Sequence, residues 1–245
     1  MKYPSVEEVL RLLRPDREAL SKGRERMASI WRGEEPDYLP IILSAPEAGN
    51  FAHYNLLEQF HDPEKMLVEQ LWGLVGLARA RSDAQLSVRA NFGTGFLASI
   101  FGLEQEVFPD EMPWLKKRLP KERISSLDPE GLGDISRKGL LPKAVKYYNF
   151  FASHSDGRFG LYLPDTQGPF DLAHLLRGEE IFTDLHDDPG FVRHLLSLAT
   201  TAYVEASKFL KRAIGEPLDR GFHSTLWMEG GGSLRIITSN SFSPS

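Results

Sequence analysis

The run Gln85-Leu86-Ser87-Val88-Arg89-Ala90-Asn91 alternates apolar and polar residues with the period of a strand, which sets Ser87, Arg89 and Asn91 on one face. Near the C-terminal end of such a strand, the forked guanidinium of Arg89 can hold a carboxylate or phosphate through two parallel hydrogen bonds. A buried structural ion pair, with Asp165 as partner, is the competing reading. Asp165 and Gln167 follow a second strand-like run, 159–163, and either orient a substrate or close the turn before Pro169. His223 shares its strand parity with Thr225 and could shuttle a proton or bind a metal. The alternative is a hydrogen-bonded structural histidine, and an acid such as Asp165 or Glu47 beside it would favour the chemical role. The catalytic candidates are therefore Asp165 and His223, and the substrate-binding candidates are Arg89, Asn91, Gly93, Gln167 and Glu47.

Several chemistries are closed to this sequence. It has no cysteine, which removes disulfides, thiolate nucleophiles, Cys-containing zinc sites and iron–sulfur clusters. The seven histidines show no His-Glu-x-x-His spacing, and no metal site is assigned. Gly93-Thr94-Gly95-Phe96-Leu97-Ala98 fits G-x-G-x-x-A after a strand, but the helix that follows breaks at Gly102. We read these glycines as a tight connection whose N–H groups can meet a phosphate or carboxylate. With 29 Lys+Arg against 34 Asp+Glu the net charge is −5, which argues against a nucleic-acid partner. No stretch reaches membrane-spanning length, and the acidic opening through Glu7 and Glu8 is unlike a signal peptide, so the expected location is cytoplasmic.

These residues must be positioned by alternating strands and helices. Asp-Pro pairs at 62–63, 128–129 and 188–189 read as helix starts, the Asp capping free N–H groups and the Pro sitting at the first helical position. The middle one precedes a weaker run, Leu140 to Phe151, that Pro142 interrupts. Strand-like runs fall at Leu39 to Leu43, Gln85 to Phe92, Phe159 to Leu163 and Phe222 to Met228, the first apolar on both faces as in a buried parallel sheet. The order predicts an α/β fold of parallel strands with right-handed crossovers. Two helices precede it, so the expected organisation is N-terminal helices over 1–36, a β/α part over 37–232 and an irregular tail over 233–245.

Arg24-Glu25-Arg26-Met27 followed by Arg32-Gly33-Glu34-Glu35-Pro36-Asp37-Tyr38-Leu39-Pro40 resembles the opening of the uroporphyrinogen decarboxylase superfamily, where a helix and a Gly-Glu-x-Pro-Asp turn feed the first barrel strand. The resemblance continues through Gln167-Gly168-Pro169-Phe170-Asp171-Leu172-Ala173 and Asp187-Asp188-Pro189, covering residues 24 to 232. It implies a (β/α)8 TIM barrel with its site at the C-terminal strand ends. Only about the first four β/α units are present, so the barrel reads as truncated. Its open edges predict self-association.

The resemblance includes decarboxylases and corrinoid- or cobalamin-linked methyltransferases. Ser44-Ala45-Pro46-Glu47-Ala48-Gly49-Asn50 replaces the Arg-rich loop with which the decarboxylases hold substrate carboxylates. Their catalytic Asp falls near Asn91 to Gly93 and their Tyr near Leu175. The methyltransferase zinc, held by a His-x-Cys pair and a later Cys, has no counterpart here. The resemblance therefore implies binding of an anionic small molecule and, first, methyl transfer of the corrinoid type, with a corrinoid protein or cobalamin as partner. A catalytically inactive barrel fragment is the second reading. A carboxy-lyase of tetrapyrrole metabolism, which needs no cofactor, is the third.

Overall fold

The computed structural model describes residues 2–45 and 51–230. In chain order the elements are α1 (Val6–Leu12), α2 (Arg17–Arg32), α3 (Leu56–His61), α4 (Pro63–Ala80), β1 (Ser87–Val88), β2 (Gln105–Glu106), β3 (Trp114–Leu115), α5 (Lys121–Ser125), α6 (Leu141–Ser155), β4 (Gly160–Leu161), α7 (Pro169–Arg177), α8 (Glu180–Asp187), α9 (Pro189–Ala213), β5 (Arg220–His223) and β6 (Leu226–Glu229). They form two compact units. Among the described residues, one holds 2–45, 51–91, Val145–Leu163 and 211–230, and the other holds Phe92–Ala144 and Pro164–Leu210.

Local chemistry starts the helices of the first unit. Ser5 and Glu8 form a reciprocal capping box on α1, Asp16 caps α2, and the Asp62 carboxylate accepts from the N–H groups of Glu64 and Lys65 ahead of α4. α1 packs on α4, burying Val6, Val9 and Leu10 with Met66, Leu67 and Leu71. The aromatic stretch of α6 adds Tyr147, Tyr148 and Phe151, all buried. Against this core lies the parallel pair β1–β4, with Ser87 opposite Gly160 and Val88 opposite Leu161. Burial next to Asp62 also pushes the Tyr147 phenol far above its usual range.

Two of the four expected strands depart from the barrel pattern. The run Leu39 to Leu43 forms no ladder and is not buried: Leu39 is 74% exposed and Leu43 56%. Ile41 exchanges backbone contact with Asp83 alone, its N–H donating to the Asp83 carboxylate (2.9 Å) and its carbonyl accepting from the Asp83 N–H (2.9 Å). Leu43 bonds the Ser82 hydroxyl in both directions. Asp83 and Ser82 thus stand in for a ladder on one edge, and no described residue bonds the backbone of the other.

The fourth run is not a parallel strand but the antiparallel hairpin β5–β6, in which His223 pairs with Leu226. Ser224, at φ 54°, provides the left-handed residue of its two-residue turn. That turn sits on the free edge of β1: the Gln85 N–H donates to the Thr225 carbonyl (2.8 Å) and the Ser87 hydroxyl to the Ser224 carbonyl (2.5 Å). Gly160 admits the Phe222 ring, which a Cβ at that position would overlap. The buried Lys211 ammonium ties the end of α9 to the hairpin through Glu216 (3.0 Å) and the carbonyls of Pro217 (2.9 Å) and Arg220 (3.0 Å). The result is a helix-rich fold with two-stranded sheets, and no closed barrel forms among the described residues.

The second unit carries the hairpin β2–β3, helices α5, α7 and α8, and most of α9. Asp188 caps α9 through the Phe191 N–H (3.0 Å). Asp128 opens no helix; its carboxylate accepts from the Glu130 N–H (2.9 Å) and closes a turn instead. Pro142 does not interrupt α6 either, because it lies in the first turn, where a missing N–H costs nothing. Asp184, buried on α8, is gripped by Arg177 (2.7 Å) and Lys121 (3.3 Å). Those contacts, Arg177 first, hold its carboxyl below the usual range.

Candidate functional site

The C-terminal end of β1 is held from α4. The Gln70 side-chain amide donates to the Arg89 carbonyl (2.6 Å) and accepts from the Arg89 N–H (2.8 Å), so one side chain replaces a neighbouring strand at this residue. On the other edge, β4 donates through Tyr162 N–H to the Val88 carbonyl (3.0 Å). Leu86, Val88 and Ala90 are buried in the core and Arg89 and Asn91 are half-buried, but Gln85 and Ser87, of the same parity as Arg89, are buried as well. Asn91 is anchored by its N–H against the Met66 sulfur (3.2 Å).

The face bearing Arg89 is organised by Tyr162. The Arg89 guanidinium lies 5.8 Å from the Tyr162 ring centroid, and the His223 ring meets the same phenol edge-on at 5.9 Å and 87°. The carbonyl of Tyr162 accepts from the buried Tyr148 hydroxyl (2.6 Å), which fixes the strand beneath it. A guanidinium one residue past β1, a phenol one residue past β4 and an imidazole at the end of β5 are therefore brought together. Behind the hairpin, Arg24 stacks over Trp227 (4.5 Å) and Phe222 (5.0 Å) and donates to Gln85 (3.2 Å). Partial burial lowers its pKa, with Glu229 acting in the opposite direction. The arrangement can bind an anion at Arg89 and hold a proton at His223.

The remaining candidates lie in the second unit, apart from Glu47, which falls outside the described residues. Asp165, half-buried, accepts from the Gln167 amide (2.6 Å). Gln167 is buried and holds a left-handed backbone at φ 55°, a conformation that a residue with a Cβ adopts at a cost. The turn ahead of α7 is capped by neither of them but by Asp171, whose carboxylate accepts from the Gly168 N–H (3.2 Å). Gly93 turns the chain at φ 77° into a short 3-10 helix, Leu97–Phe101. A Cβ on Gly95 would sit 2.7 Å from the Gln105 carboxamide and 2.8 Å from Leu115, so close packing of β2–β3 accounts for that glycine. The space beside it is filled, and a dinucleotide-type cradle is not formed there.

Sequence reasoning missed Tyr162, Tyr148 and Gln70. A signal for Gln70 existed, because it is the polar member of the stripe Met66, Leu67, Gln70, Leu71, Leu74 on α4. Among the described residues no three His, Asp or Glu side chains gather as a metal-binding group, and no helix is long and apolar enough to cross a membrane.

The sequence matches no protein-family model and no curated protein. Among solved structures it is similar to a methyltransferase from Methanosarcina mazei, with 15% identity and a TM-score of 0.51 over 76% of this chain. The chain spans 56% of the length of that protein. The likeness is one of fold.

Proposed function

We propose that the chain is a uroporphyrinogen decarboxylase-like barrel protein of the methyltransferase type, whose Arg89, Tyr162 and His223 serve an anionic small molecule. In this reading residues 39–43, β1 and β4 correspond to the first three strands of a (β/α)8 barrel, and Arg89 and Tyr162 follow the C-terminal ends of two of them, where such barrels keep their chemistry. One observation carries it: the only basic residue of the 85–91 strand stands beside an aromatic ring and an imidazole supplied by two other strands. The fold shared with a methyltransferase supports the reaction class.

The described cavities of about 550 and 390 Å³ are lined by neither Arg89 nor His223. In this reading a corrinoid serves as a methyl donor or acceptor presented from outside. Arg89 and Asn91 would orient the anionic end of the small molecule. When a methyl group moves onto an acceptor that carries a proton, that proton must leave, and His223 is placed to take it.

The test is loss of methylcobalamin absorbance in the presence of mercaptoacetate as an anionic acceptor. Wild type should turn over. Arg89→Met should lower kcat/KM by about tenfold or more, the loss expected for one charged hydrogen-bonding group. A binding-inert wild type would favour the second reading, a non-catalytic barrel relative. Its specific support is the hairpin β5–β6, which occupies the β1 edge where a working barrel places a strand.

A further inference from the structure

The segment from Tyr38 to Leu43 is the most exposed apolar stretch of the described chain: Leu39 is 74% exposed, Leu43 56%, Ile41 54% and Ile42 41%. It is continuous with Ile30, Trp31 and Leu226, whose side chains together with Leu39, Pro40 and Ile42 line an apolar groove of about 390 Å³. The Ile41 and Leu43 backbones are bonded inward to Asp83 and Ser82. The alternate groups, the Pro40 carbonyl and the N–H and carbonyl of Ile42, have no hydrogen-bond partner among the described residues. This is an extended edge with apolar side chains on both faces and its outward backbone groups open.

We infer that this edge is the docking surface for a second copy of the chain, joined two-fold and antiparallel about Ile41. The area suits such a partner: the exposed parts of these side chains sum to on the order of 800 Å², what one side of a standard interface buries. The chemistry suits it as well. A two-fold axis sets each residue against its own kind, so a charged patch would oppose like charges, and Leu39-Pro40-Ile41-Ile42-Leu43 carries none. Antiparallel register about Ile41 places Leu39 opposite Leu43 and Pro40 opposite Ile42. The Ile42 N–H of each copy then donates to the Pro40 carbonyl of the other. Proline has no N–H to return, so side-chain packing supplies most of the contact. Each 39–43 edge covers the other, and the pairing closes as a dimer at this surface. The inference is independent of which reaction, if any, the chain performs.

The experiment uses the full chain in sedimentation velocity, with Leu39→Glu, Ile42→Lys and, as a control on an exposed apolar residue of α8, Leu185→Glu. Wild type and the control should be dimers at about 50 μM, and the two edge variants should weaken association at least about tenfold. All three variants should keep the wild-type circular dichroism, because the substituted side chains are 41 to 74% exposed. The chain is free of cysteine, so Ile41→Cys supplies a single thiol beside the axis, and oxidation should link it to its own copy. A wild type that stays monomeric at about 50 μM, edge variants that dimerise unchanged, or an Ile41→Cys chain that does not cross-link within a dimer would each overturn the proposal.

Discussion

β1 and the 39–43 segment are both short extended runs with apolar side chains, the first alternating with polar residues and the second apolar throughout, yet Val88 is fully buried and Leu39 is three-quarters exposed. The difference lies in what borders them. β1 has β4 on one edge and the turn of β5–β6 with Gln70 on the other, and α4 packs against it. The 39–43 segment has Asp83 and Ser82 on one edge and nothing described on the other. Apolar composition makes a segment available for burial, and the satisfaction of its backbone edges decides whether burial happens.

Substitution should separate the two regions sharply. A carboxylate at Val88 would sit in the core without a partner, so Val88→Asp should cost at least about 4 kcal/mol and leave the chain unfolded in chemical denaturation. Ile41→Thr should change stability by no more than about 0.5 kcal/mol. Equal losses at both sites would mean that 39–43 is as much a part of the core as β1.

Asp83 joins the regions, accepting from the Arg26 guanidinium at 2.6 Å and from the Ile41 N–H. Its side chain is 6% exposed, so removing it strands a shielded arginine and a backbone donor together. Asp83→Ala should cost about 3 kcal/mol, the low end for a broken buried pair because Arg26 keeps Asp37. Hydrogen exchange should then rise throughout 38–43. A loss confined to β1 would break the assignment of Asp83 as the link.

Gln70 tests the substitute strand. Replacing it by Ala removes both bonds to Arg89 and should cost about 1–2 kcal/mol, with faster exchange at the Arg89 amide. Replacement by Glu keeps the acceptor and loses the donor, and should recover part of that loss. Identical behaviour of the two variants would show that water replaces the amide.

Much of this was legible because it is local. Asp62 and Asp188 cap helices using atoms within three residues, and the alternation marks Leu86, Val88 and Ala90 as core, although Gln85 and Ser87 are buried beside them. The hairpin was hidden because its turn uses Ser224 in the left-handed region where Gly or Asn would have announced it. Asp128-Pro129 carries the same signal as the other two pairs, but its aspartate closes a turn on Glu130. The Arg89, Tyr162 and His223 group joins three strands far apart in the chain, and only Arg89 and His223 were marked by residue type. Tyr162 reads as one more apolar residue of its strand until its neighbours are known.

The smallest expected effect concerns acid. Asp37 makes a two-pronged contact with Arg26 (2.7 and 3.0 Å), and Tyr38 stacks 3.7 Å over the same guanidinium, so this contact tethers the start of the exposed segment. The arginine holds the Asp37 carboxyl below its ordinary value, with its bond to the Tyr38 N–H adding to the effect. A depressed folded pKa contributes stability that is fully present above the unfolded value, about 4, and is lost as pH falls through the folded one. Acidification below pH ~4 should therefore loosen 38–43 before β1, because Asp37 is exposed and β1 has no titratable group in its ladder. Hydrogen exchange at Ile42 and Val88, corrected for intrinsic rates, follows both regions in one titration. Protection at Ile42 should fall first in wild type, and Asp37→Asn should remove the step while leaving Val88 unchanged. If Val88 lost protection at the same pH, the two regions would open as a single unit, and the contrast between a closed strand and an open edge would fail.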